Sequence, residues 1–541
     1  MKIWLESLGC SRNQVDSEIM SGRLVDAGYT IGDDPSTADI IIVNTCGFIS
    51  DAADEAVDTI LEMAEYKTHG SCRHLVVTGC LPERFKKDNL ASSLPEVDFF
   101  LGTGAVDFIV EAVEACIKNP GISSKTVNGT ICTIDETGAT CSDTNYAGKI
   151  SGTKVPTNTL GIAAFFPDPG KRKFQTAPFR RKLTLDYSAY VKISEGCDRK
   201  CTYCIIPALR GKQRSRPVDD IICETKNLVL QGVKEIIFTG ENTTDYGSET
   251  GDTLHGICRT TENKQNKNKS NKSKYDKIDL AYLLNRLSIE LDKINKITAD
   301  KITADKITAA PPLSGDHNAN KQFNDIWIRL LYTHPSSLSH EIIKCISKLE
   351  KVCTYYDVPV QHASSKILKK MGRPYTKEDL YSLFKFIRKT DPDAVLRTTI
   401  ITGFPGETDE DFKILLNFIQ DIKFDNLGVF TYSDSEDLKS HNFKNHVPED
   451  LARQRQDIIM AKQAKISEKI NEKRLGKVYQ VLVEENPDDG IFLGRTSFQA
   501  PEVDGITFIY GSGLEIGSFV DVRITETFEY DLAGELESKR T

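Results

Sequence analysis

Three cysteines on one short loop constrain this chain of 541 residues more than any other feature of its sequence. Cys197, Cys201 and Cys204 follow a predicted strand at residues 190–194 with the spacing Cys-x-x-x-Cys-x-x-Cys. Three thiolates at this spacing can hold three irons of a four-iron cluster. The fourth iron then lacks a protein ligand and can take a small molecule that offers an amine and a carboxylate.

Such a site is typical of radical chemistry. S-adenosylmethionine offers the amine and the carboxylate, and one electron passed to its sulfonium breaks a carbon–sulfur bond and leaves a carbon radical. A zinc site or three buried thiols is the alternative, but zinc usually takes four protein ligands, and no fourth Cys or His lies near the loop in the sequence. We therefore expect a 4Fe-4S cluster on this loop.

A second set of three cysteines lies in the first part of the chain. Residues 1–118 alternate predicted strands with predicted helices, which indicates an open parallel α/β sheet. The strands are at 2–8, 39–44 and 74–78, and the helices are at 13–27 and 51–64. Cys10, Cys46 and Cys80 each come just after one of these strands. Strand ends of a parallel sheet share one edge, so we expect these thiols to converge on a second cluster. The alternative is that each is a small buried hydrophobic residue.

The middle of the chain has the pattern of a partial (β/α)6 barrel. Six predicted strands, most of them separated by helical stretches, lie at 190–194, 234–239, 327–332, 355–360, 395–402 and 427–432. Two turns after strands contain glycine, which lets the backbone approach a ligand closely. They are Gly240-Glu241 and Gly403-Phe404-Pro405-Gly406-Glu407. An ordinary strand-to-helix turn is the alternative for the longer run.

Basic residues follow the cysteine loop at Arg210, Arg214 and Arg216. They can neutralise carboxylate or phosphate groups. A solvated basic face is the alternative.

Composition divides the chain into segments. The predicted α/β domain at 1–118 is followed by an insertion and linker at 119–182, a barrel at 183–447, a connecting helix at 448–474 and a small β-barrel at 475–541. Inside the barrel, residues 251–322 are rich in Asn, Lys, Ser and Thr and form a low-complexity insertion. The tail alternates short strands with glycine turns at 478–484, 491–496, 506–510 and 519–526, as small β-barrels do.

Charge and hydropathy limit the partners. The chain carries a formal net charge of -9, and its last 67 residues contain five Lys or Arg against thirteen Asp or Glu. Acidic surfaces repel phosphate backbones, which disfavours direct RNA binding and favours a basic protein. Acidity that only maintains solubility is the alternative. No signal segment or membrane span is predicted, so we expect a cytoplasmic protein whose thiols stay reduced.

The two cysteine triads, in this order and with these neighbouring segments, resemble the methylthiotransferase family of radical S-adenosylmethionine enzymes over most of the chain. The tail resembles a TRAM domain. Five stretches are similar to the RimO branch of that family. They are Glu6-Ser7-Leu8-Gly9-Cys10-Ser11-Arg12-Asn13, Ile193-Ser194-Glu195-Gly196-Cys197-Asp198-Arg199-Lys200-Cys201, Thr243-Thr244-Asp245-Tyr246-Gly247, Leu427-Gly428-Val429-Phe430-Thr431-Tyr432-Ser433 and Ala500-Pro501-Glu502-Val503-Asp504-Gly505.

The resemblance implies a transferase that adds a methylthio group to the β-carbon of an aspartate in small-subunit ribosomal protein S twelve. The cluster on Cys197, Cys201 and Cys204 would cleave S-adenosylmethionine, and the resulting radical would abstract hydrogen. The cluster on Cys10, Cys46 and Cys80 would carry the incoming sulfur, and a second S-adenosylmethionine would donate the methyl group.

The same resemblance implies contacts between S-adenosylmethionine and Glu241, Gly403 and Glu407. The family more often has glutamine and aspartate where Glu241 and Asn242 stand. The sequence does not identify the sulfur donor or the electron donor.

Two rival functions use the same residues. The MiaB branch of the family methylthiolates an N6-modified adenosine in transfer RNA and predicts binding that weakens steeply with salt. A cluster-bearing redox or iron-sensing module would not be an enzyme and predicts no 5'-deoxyadenosine when the reduced protein meets S-adenosylmethionine.

Overall fold

The computed structural model describes residues 1–88, 90–118, 147–150, 153–156, 163–172, 180, 186–249, 278–308 and 326–537. Contacts divide the chain into two compact units. The first contains 1–183, 195–199 and 204–213, and the second contains 184–194, 200–203 and 214–541. The division runs through the cysteine loop, so Cys197 and Cys204 belong to the first unit and Cys201 to the second.

The first unit is built on a six-stranded parallel sheet in the order β2-β1-β3-β4-β5-β8. Its strands are β1 (Lys2–Ser7), β2 (Thr30–Ile31), β3 (Ile40–Thr45), β4 (His74–Gly79), β5 (Phe99–Leu101) and β8 (Ala163–Phe165). Its helices are α1 (Ser11–Asp26), α2 (Ser50–His69), α3 (Cys80–Arg84), α4 (Leu90–Ser93) and α5 (Ile109–Lys118). A separate antiparallel pair consists of β6 (Ala147–Ile150) and β7 (Thr153–Pro156).

Helices cover both faces of this sheet. Strand β3 is buried at every position, which is usual for a central parallel strand. Ile40 and Ile42 pack with Met20 of α1 on one face, whereas Ile41 and Val43 pack with α2 on the other. The predicted open α/β sheet is therefore confirmed. Strand β8 extends it with residues from a segment that the sequence suggested was an insertion and linker.

The second unit contains a partial barrel of six parallel strands in two sets, β13-β12-β9 and β14-β15-β16. These strands are β9 (Ser188–Lys192), β12 (Glu235–Thr239), β13 (Trp327–Leu330), β14 (Tyr355–Asp357), β15 (Val395–Thr402) and β16 (Asn426–Thr431). Between them lie α7 (Val218–Leu230), α8 (Leu280–Thr308), α9 (His340–Ile346), α10 (Ser365–Lys370), α11 (Lys377–Thr390) and α12 (Asp409–Ile422). The short elements around the cysteine loop are β10 (Ser194–Glu195), α6 (Ile206–Arg210) and β11 (Arg214–Ser215).

The six predicted barrel strands are confirmed. An isolated parallel bridge joins Ile328 of β13 to Val352, which precedes β14 in the chain. Alternate strand residues such as Ile236, Ile328 and Leu396 face the helices and form the main core of this unit. All of α8 lies within the predicted low-complexity insertion at 251–322, and Leu283, Leu287 and Leu291 of this helix are buried in the main core, so this stretch is a packed part of the barrel. The parts of the prediction at 251–277 and 309–322 lie outside the described residues.

The chain ends in a closed five-stranded barrel that follows α13 (Glu449–Asn471). Its strands are β17 (Val478–Asp488), β18 (Ile491–Thr496), β19 (Thr507–Tyr510), β20 (Phe519–Thr527) and β21 (Leu532–Leu536), in the order β17-β18-β19-β21-β20. The predicted small β-barrel is confirmed, and β21 is an addition to the four predicted strands. Among the described helices, none is long and apolar enough to cross a membrane.

Candidate active site

The first three cysteines lie at one edge of the parallel sheet. Strands β1, β3 and β4 end at this edge. Cys10 caps the amino terminus of α1, Cys46 directly follows β3, and Cys80 is the first residue of α3. The loops touch at Gly9, where a Cβ atom would lie 2.6 Å from the Cβ of Cys46. The expected convergence of the three strand ends is therefore present.

Charge and burial couple the three thiols. Burial raises the pKa of Cys80 to about 11, Arg210 lowers it, and the charges of Cys10 and Cys46 raise it. Burial also raises the pKa of Cys46, against a backbone hydrogen bond that lowers it. Burial alone would raise the pKa of Cys10, but Arg12, Arg210 and backbone hydrogen bonds outweigh it, so the net shift is downward.

Asn13 ties the loops of this edge together. Its Nδ2 donates to the carbonyl oxygens of Leu8, at 3.2 Å, and Thr45, at 2.8 Å. Its Oδ1 lies 4.0 Å from the Sγ of Cys80. Asn13 is 1% exposed, so this amide is a built part of the edge that sequence reasoning did not identify.

The donor set at this edge suits an iron–sulfur cluster, because thiolates are the ligands that hold such clusters. The loops that carry the three cysteines come together at this edge through their backbone. No three Cys, His, Asp or Glu side chains of the described residues are arranged to hold a metal ion as they stand. The edge therefore fits the group by its chemistry and by the meeting of its loops.

In the first unit, the cysteine loop begins at a glycine that other residues cannot replace. Gly196 has a φ of +80°, and a Cβ there would lie 2.1 Å from the carbonyl oxygen of Lys212. The amide of Cys197 donates to the carbonyl of Gly211 at 3.0 Å. The amide of Arg199 points at the Sγ of Cys197 from 3.4 Å. The backbone thus curls around the first thiol of the loop.

In the second unit, the middle of the loop is anchored to the end of α10. Thr202 donates from its amide to the carbonyl of Met371 at 3.0 Å and from its hydroxyl to that of Lys370 at 2.9 Å. Gly372 leaves room for the carbonyl of Lys200, which a Cβ would approach to 2.5 Å. These contacts fix the backbone on both sides of Cys201.

The next residue of the loop, Tyr203, has a half-buried arginine as its polar partner. The Nε of Arg373 donates to the Tyr203 hydroxyl at 2.9 Å, and the Tyr203 ring packs edge-on against Phe404, with ring centres 6.3 Å apart. Burial raises the pKa of Tyr203 well above its usual value, although Arg373 lowers it. Arg373 carries no sequence signal, because its partner is distant along the chain.

The glycine-containing run at residues 403–407 meets the cysteine loop through that Phe404 ring. Gly403 and Gly406 have φ values of +76° and +85°, and a Cβ at Gly403 would lie 2.4 Å from the Cβ of Ala452. The Oε2 of Glu407 accepts from the amides of Gly403, at 2.6 Å, and Phe404, at 3.2 Å.

The other carboxylate oxygen of Glu407 pairs with Arg455 at 3.1 Å. The partners that the structure shows for Glu407 therefore lie in its own run and in α13. They give this residue the geometry of a brace for the run.

Glu241 lies just past the carboxyl end of β12 and is half-buried. The preceding Gly240 sits against the Oγ of Ser194, which a Cβ would approach to 2.6 Å. This close approach explains why residue 240 is a glycine. It also holds Glu241 at the end of the barrel strand, where α/β barrels carry their ligand-binding residues.

The three arginines after the cysteine loop do not form the solvated basic face that was the alternative prediction. Arg210 is 2% exposed and pairs with Asp16 and Glu195, and Arg216 is 7% exposed and pairs with Glu224 at 2.6 Å. A solvated basic face is therefore wrong for Arg210 and Arg216. Arg214 is half-buried.

Comparison with family models covers all three parts of the chain. The model described as "Uncharacterized protein family UPF0004" matches residues 2–102, the Radical SAM superfamily matches residues 191–419 and the TRAM domain matches residues 475–536. These matches identify the N-terminal sheet, the partial barrel and the closed C-terminal barrel.

Comparison with curated proteins covers the full length. The ribosomal protein uS12 methylthiotransferase RimO of Desulfosudis oleivorans is 43% identical over 538 residues, which are 99% of this chain and 100% of that protein. The protein of the same name from Clostridioides difficile is 38% identical, over 99% of each chain. Among solved structures, the radical S-adenosylmethionine methyltransferase TsrM from Kitasatospora setae aligns with a TM-score of 0.46 and 14% identity, over 91% of this chain and 76% of that one. The full-length identities show that this chain belongs to the RimO family of radical S-adenosylmethionine methylthiotransferases.

Proposed function

We propose that this enzyme adds a methylthio group to the β-carbon of an aspartate in ribosomal protein uS12, with S-adenosylmethionine as the source of the radical and of the methyl group. The curated relatives that match the whole chain carry the name of a uS12 methylthiotransferase. The observation that supports the proposal is that the loops carrying Cys10, Cys46 and Cys80 follow neighbouring parallel strands and meet at one sheet edge. An enzyme that only cleaved S-adenosylmethionine would not need this second set of thiols.

The two triads would each hold one 4Fe-4S cluster through three thiolates. When bound, such clusters supply the electron for reductive cleavage of S-adenosylmethionine and an open iron that can carry sulfur. The contribution of the protein is to hold these ligands. Gly196 and Thr202 fix the backbone of one triad, and Asn13 fixes that of the other.

For S-adenosylmethionine we propose contacts from Glu241 and from the backbone at Gly403. Gly403 and Gly240 are packed closely against Ala452 and Ser194, so both positions are restricted to glycine and both turns keep their shape beside the strand ends. Glu407 would act by bracing this run through the amides of Gly403 and Phe404.

The acidic C-terminal barrel supports a basic protein as the partner. Exposed acidic side chains occur in and beside its hairpin at Glu485, Asp488 and Asp489, and on β20 at Asp521 and Glu526. Such charges attract a cationic protein and repel RNA. We therefore propose a protein substrate, and the experiment includes transfer RNA as the alternative substrate.

The test is to incubate the anaerobically reconstituted chain with a reductant, a sulfide source and S-adenosylmethionine, together with either uS12 or transfer RNA, and to measure both by mass spectrometry. We expect one methylthio group on one aspartate of uS12 and none on transfer RNA. Cys46→Ala should abolish this product, whereas Cys223→Ala should not, because Cys223 is exposed and belongs to neither triad. Modified transfer RNA with unmodified uS12 would overturn the proposal.

A further inference from the structure

We propose that Arg210 is a positioning residue whose guanidinium donates a hydrogen bond to the sulfur of Cys80 and thereby raises the reduction potential of the cluster on Cys10, Cys46 and Cys80. The inference rests on the proposed function, which places a cluster on these cysteines. It concerns a residue that lies shortly after the other cysteine loop, at the end of α6.

The two terminal nitrogens of Arg210 contact different partners. Nη1 lies 2.7 Å from the Oδ2 of Asp16 and 2.8 Å from the Oε1 of Glu195. Nη2 donates to the Oδ1 of Asn13 and lies 3.6 Å from the Sγ of Cys80. One edge of the guanidinium is thus held by two carboxylates, and the other faces the thiol.

A second arginine completes this arrangement. The Nη1 of Arg172 lies 3.1 Å from the Oδ1 of Asp16 and 3.3 Å from the Oε2 of Glu195, so each carboxylate bridges both guanidinium groups. The Nε of Arg172 donates to Asp107 at 3.0 Å. The side chains of Arg210, Arg172, Asp16 and Glu195 are all less than a tenth exposed.

Burial makes the contact with sulfur strong. A hydrogen bond from a cation is stronger than a neutral one, and a low local dielectric strengthens it further. Because reduction adds negative charge to a cluster, a cationic donor to one of its thiolates favours the reduced state and raises the potential.

The network also reaches the other triad along the chain. Glu195 lies on β10, two residues before Cys197, and Asp16 lies on α1, which begins beside Cys10. The ion pairs of the two arginines with Asp16, Glu195 and Asp107 would be enough for a structural network. A structural network does not require that Arg210 also face a cysteine, and this contact with Cys80 is what the inference explains.

The experiment uses the full chain with Cys197, Cys201 and Cys204 replaced by Ala, so that only the N-terminal cluster can form. Arg210→Met and Arg172→Met are made in this background, because each leaves Asp16 and Glu195 with one arginine partner. Iron and sulfide per chain are measured first. The midpoint potential is then measured by a redox titration that follows the electron paramagnetic resonance signal. We expect Arg210→Met to keep the cluster at a lower potential and Arg172→Met to keep the potential of the parent.

If Arg210→Met fails to retain iron, the midpoint potential of Arg210→Lys is measured in its place. Lysine keeps the charge that the carboxylates need, but its single nitrogen cannot hold both carboxylates and reach the sulfur, so we expect bound iron at a potential below that of the parent. An unchanged potential in the Arg210 variant that retains iron would overturn the inference, as would an equal shift in Arg172→Met. Absence of any cluster in the parent would instead contradict the proposed function itself.

Discussion

At the scale of single residues, the sequence predicts six cysteines as cluster ligands, but it does not predict most of the side chains that surround them. The cysteines are visible in the sequence because they recur at fixed spacings and at strand ends. Asn13, Arg172, Glu195 and Arg210 meet only in three dimensions. Of these four, the sequence marks only Arg210 as a possible partner of carboxylates, and it does not show which ones. The sequence alone cannot identify such partners, because a charged residue that is buried in the fold cannot be told from a surface residue until its counter-ion is known.

Gly9 gives the sharpest test at this scale. It has a φ of +82°, and a Cβ would lie 2.6 Å from the Cβ and 3.0 Å from the Sγ of Cys46. We expect Gly9→Ala to displace Cys46 and to remove about half of the iron from the reconstituted chain, since one of two clusters is lost. Iron and sulfide analysis measures this loss.

The matched control for that change is Gly28→Ala. Gly28 has a φ of +89°, but no atom lies within 4 Å of its Cβ position. Both variants lose roughly 1–2 kcal/mol of stability from the left-handed backbone, so only the contact with Cys46 separates them. Equal iron content in the two variants would mean that the loop at Gly9 does not position a cluster ligand.

At the scale of elements, the strands that lie within clear apolar runs were predictable, and β5, β8 and β21 were not. The barrel strands and β3 carry enough hydrophobic residues to be visible. Strands β5 and β8 have three residues each, and β8 reaches the sheet only by pairing with β5. Strand β21 closes the C-terminal barrel by pairing with β19 and β20. These strands depend on partners, and sequence periodicity does not record partners.

The C-terminal barrel packs on the partial barrel through a buried charge cluster that no motif indicated. Glu235, the first residue of β12, lies 2.6 Å from Arg495 of β18 and 2.7 Å from Arg329 of β13. Removing one partner of a buried ion pair leaves the other charge uncompensated. We therefore expect Glu235→Gln to cost about 3 kcal/mol in the free energy of unfolding.

The same carboxylate predicts a pH dependence. Burial alone would raise the pKa of Glu235, but Arg495 and Arg329 outweigh it and hold the pKa at about 2, below its ordinary value of 4.5. The stabilisation is therefore complete above about pH 4.5 and is lost as the pH falls towards 2. Urea unfolding at several pH values within this window measures the loss.

In that series, the difference in unfolding free energy between the parent and Glu235→Gln should shrink as the pH falls. Glu526→Gln, at an exposed position on β20, should show no such convergence. A difference for Glu235→Gln that stays constant from pH 4.5 to pH 2 would show that the carboxylate is not held ionised by the two arginines.

At the scale of the whole molecule, most of the formal net charge of -9 lies in the C-terminal 67 residues, which contain thirteen Asp or Glu and five Lys or Arg. We expect Glu485→Gln, Asp488→Asn and Asp489→Asn together to weaken binding of uS12 by roughly 3- to 10-fold at low salt, because each exposed charge contributes a few tenths of a kcal/mol. The effect should disappear at about 1 M salt, where charges are screened within about 3 Å. Binding titrations at several salt concentrations measure it.

An equal change of charge elsewhere separates local from global attraction. Asp51, Asp54 and Glu55 are exposed on α2 of the first unit. Replacing them with Asn, Asn and Gln removes the same charge, and we expect little effect on binding. If this triple variant weakens uS12 binding as much as the hairpin variant does, overall charge and not the C-terminal barrel attracts the partner.

If six thiols hold two separate clusters, iron quantification with Mössbauer spectroscopy will count both. We expect about eight irons per reconstituted chain, about four when Cys10, Cys46 and Cys80 are replaced by Ala, and about four when Cys197, Cys201 and Cys204 are replaced. A full chain that takes up only about four irons, all of them lost with one triad and none with the other, would contradict the presence of two clusters.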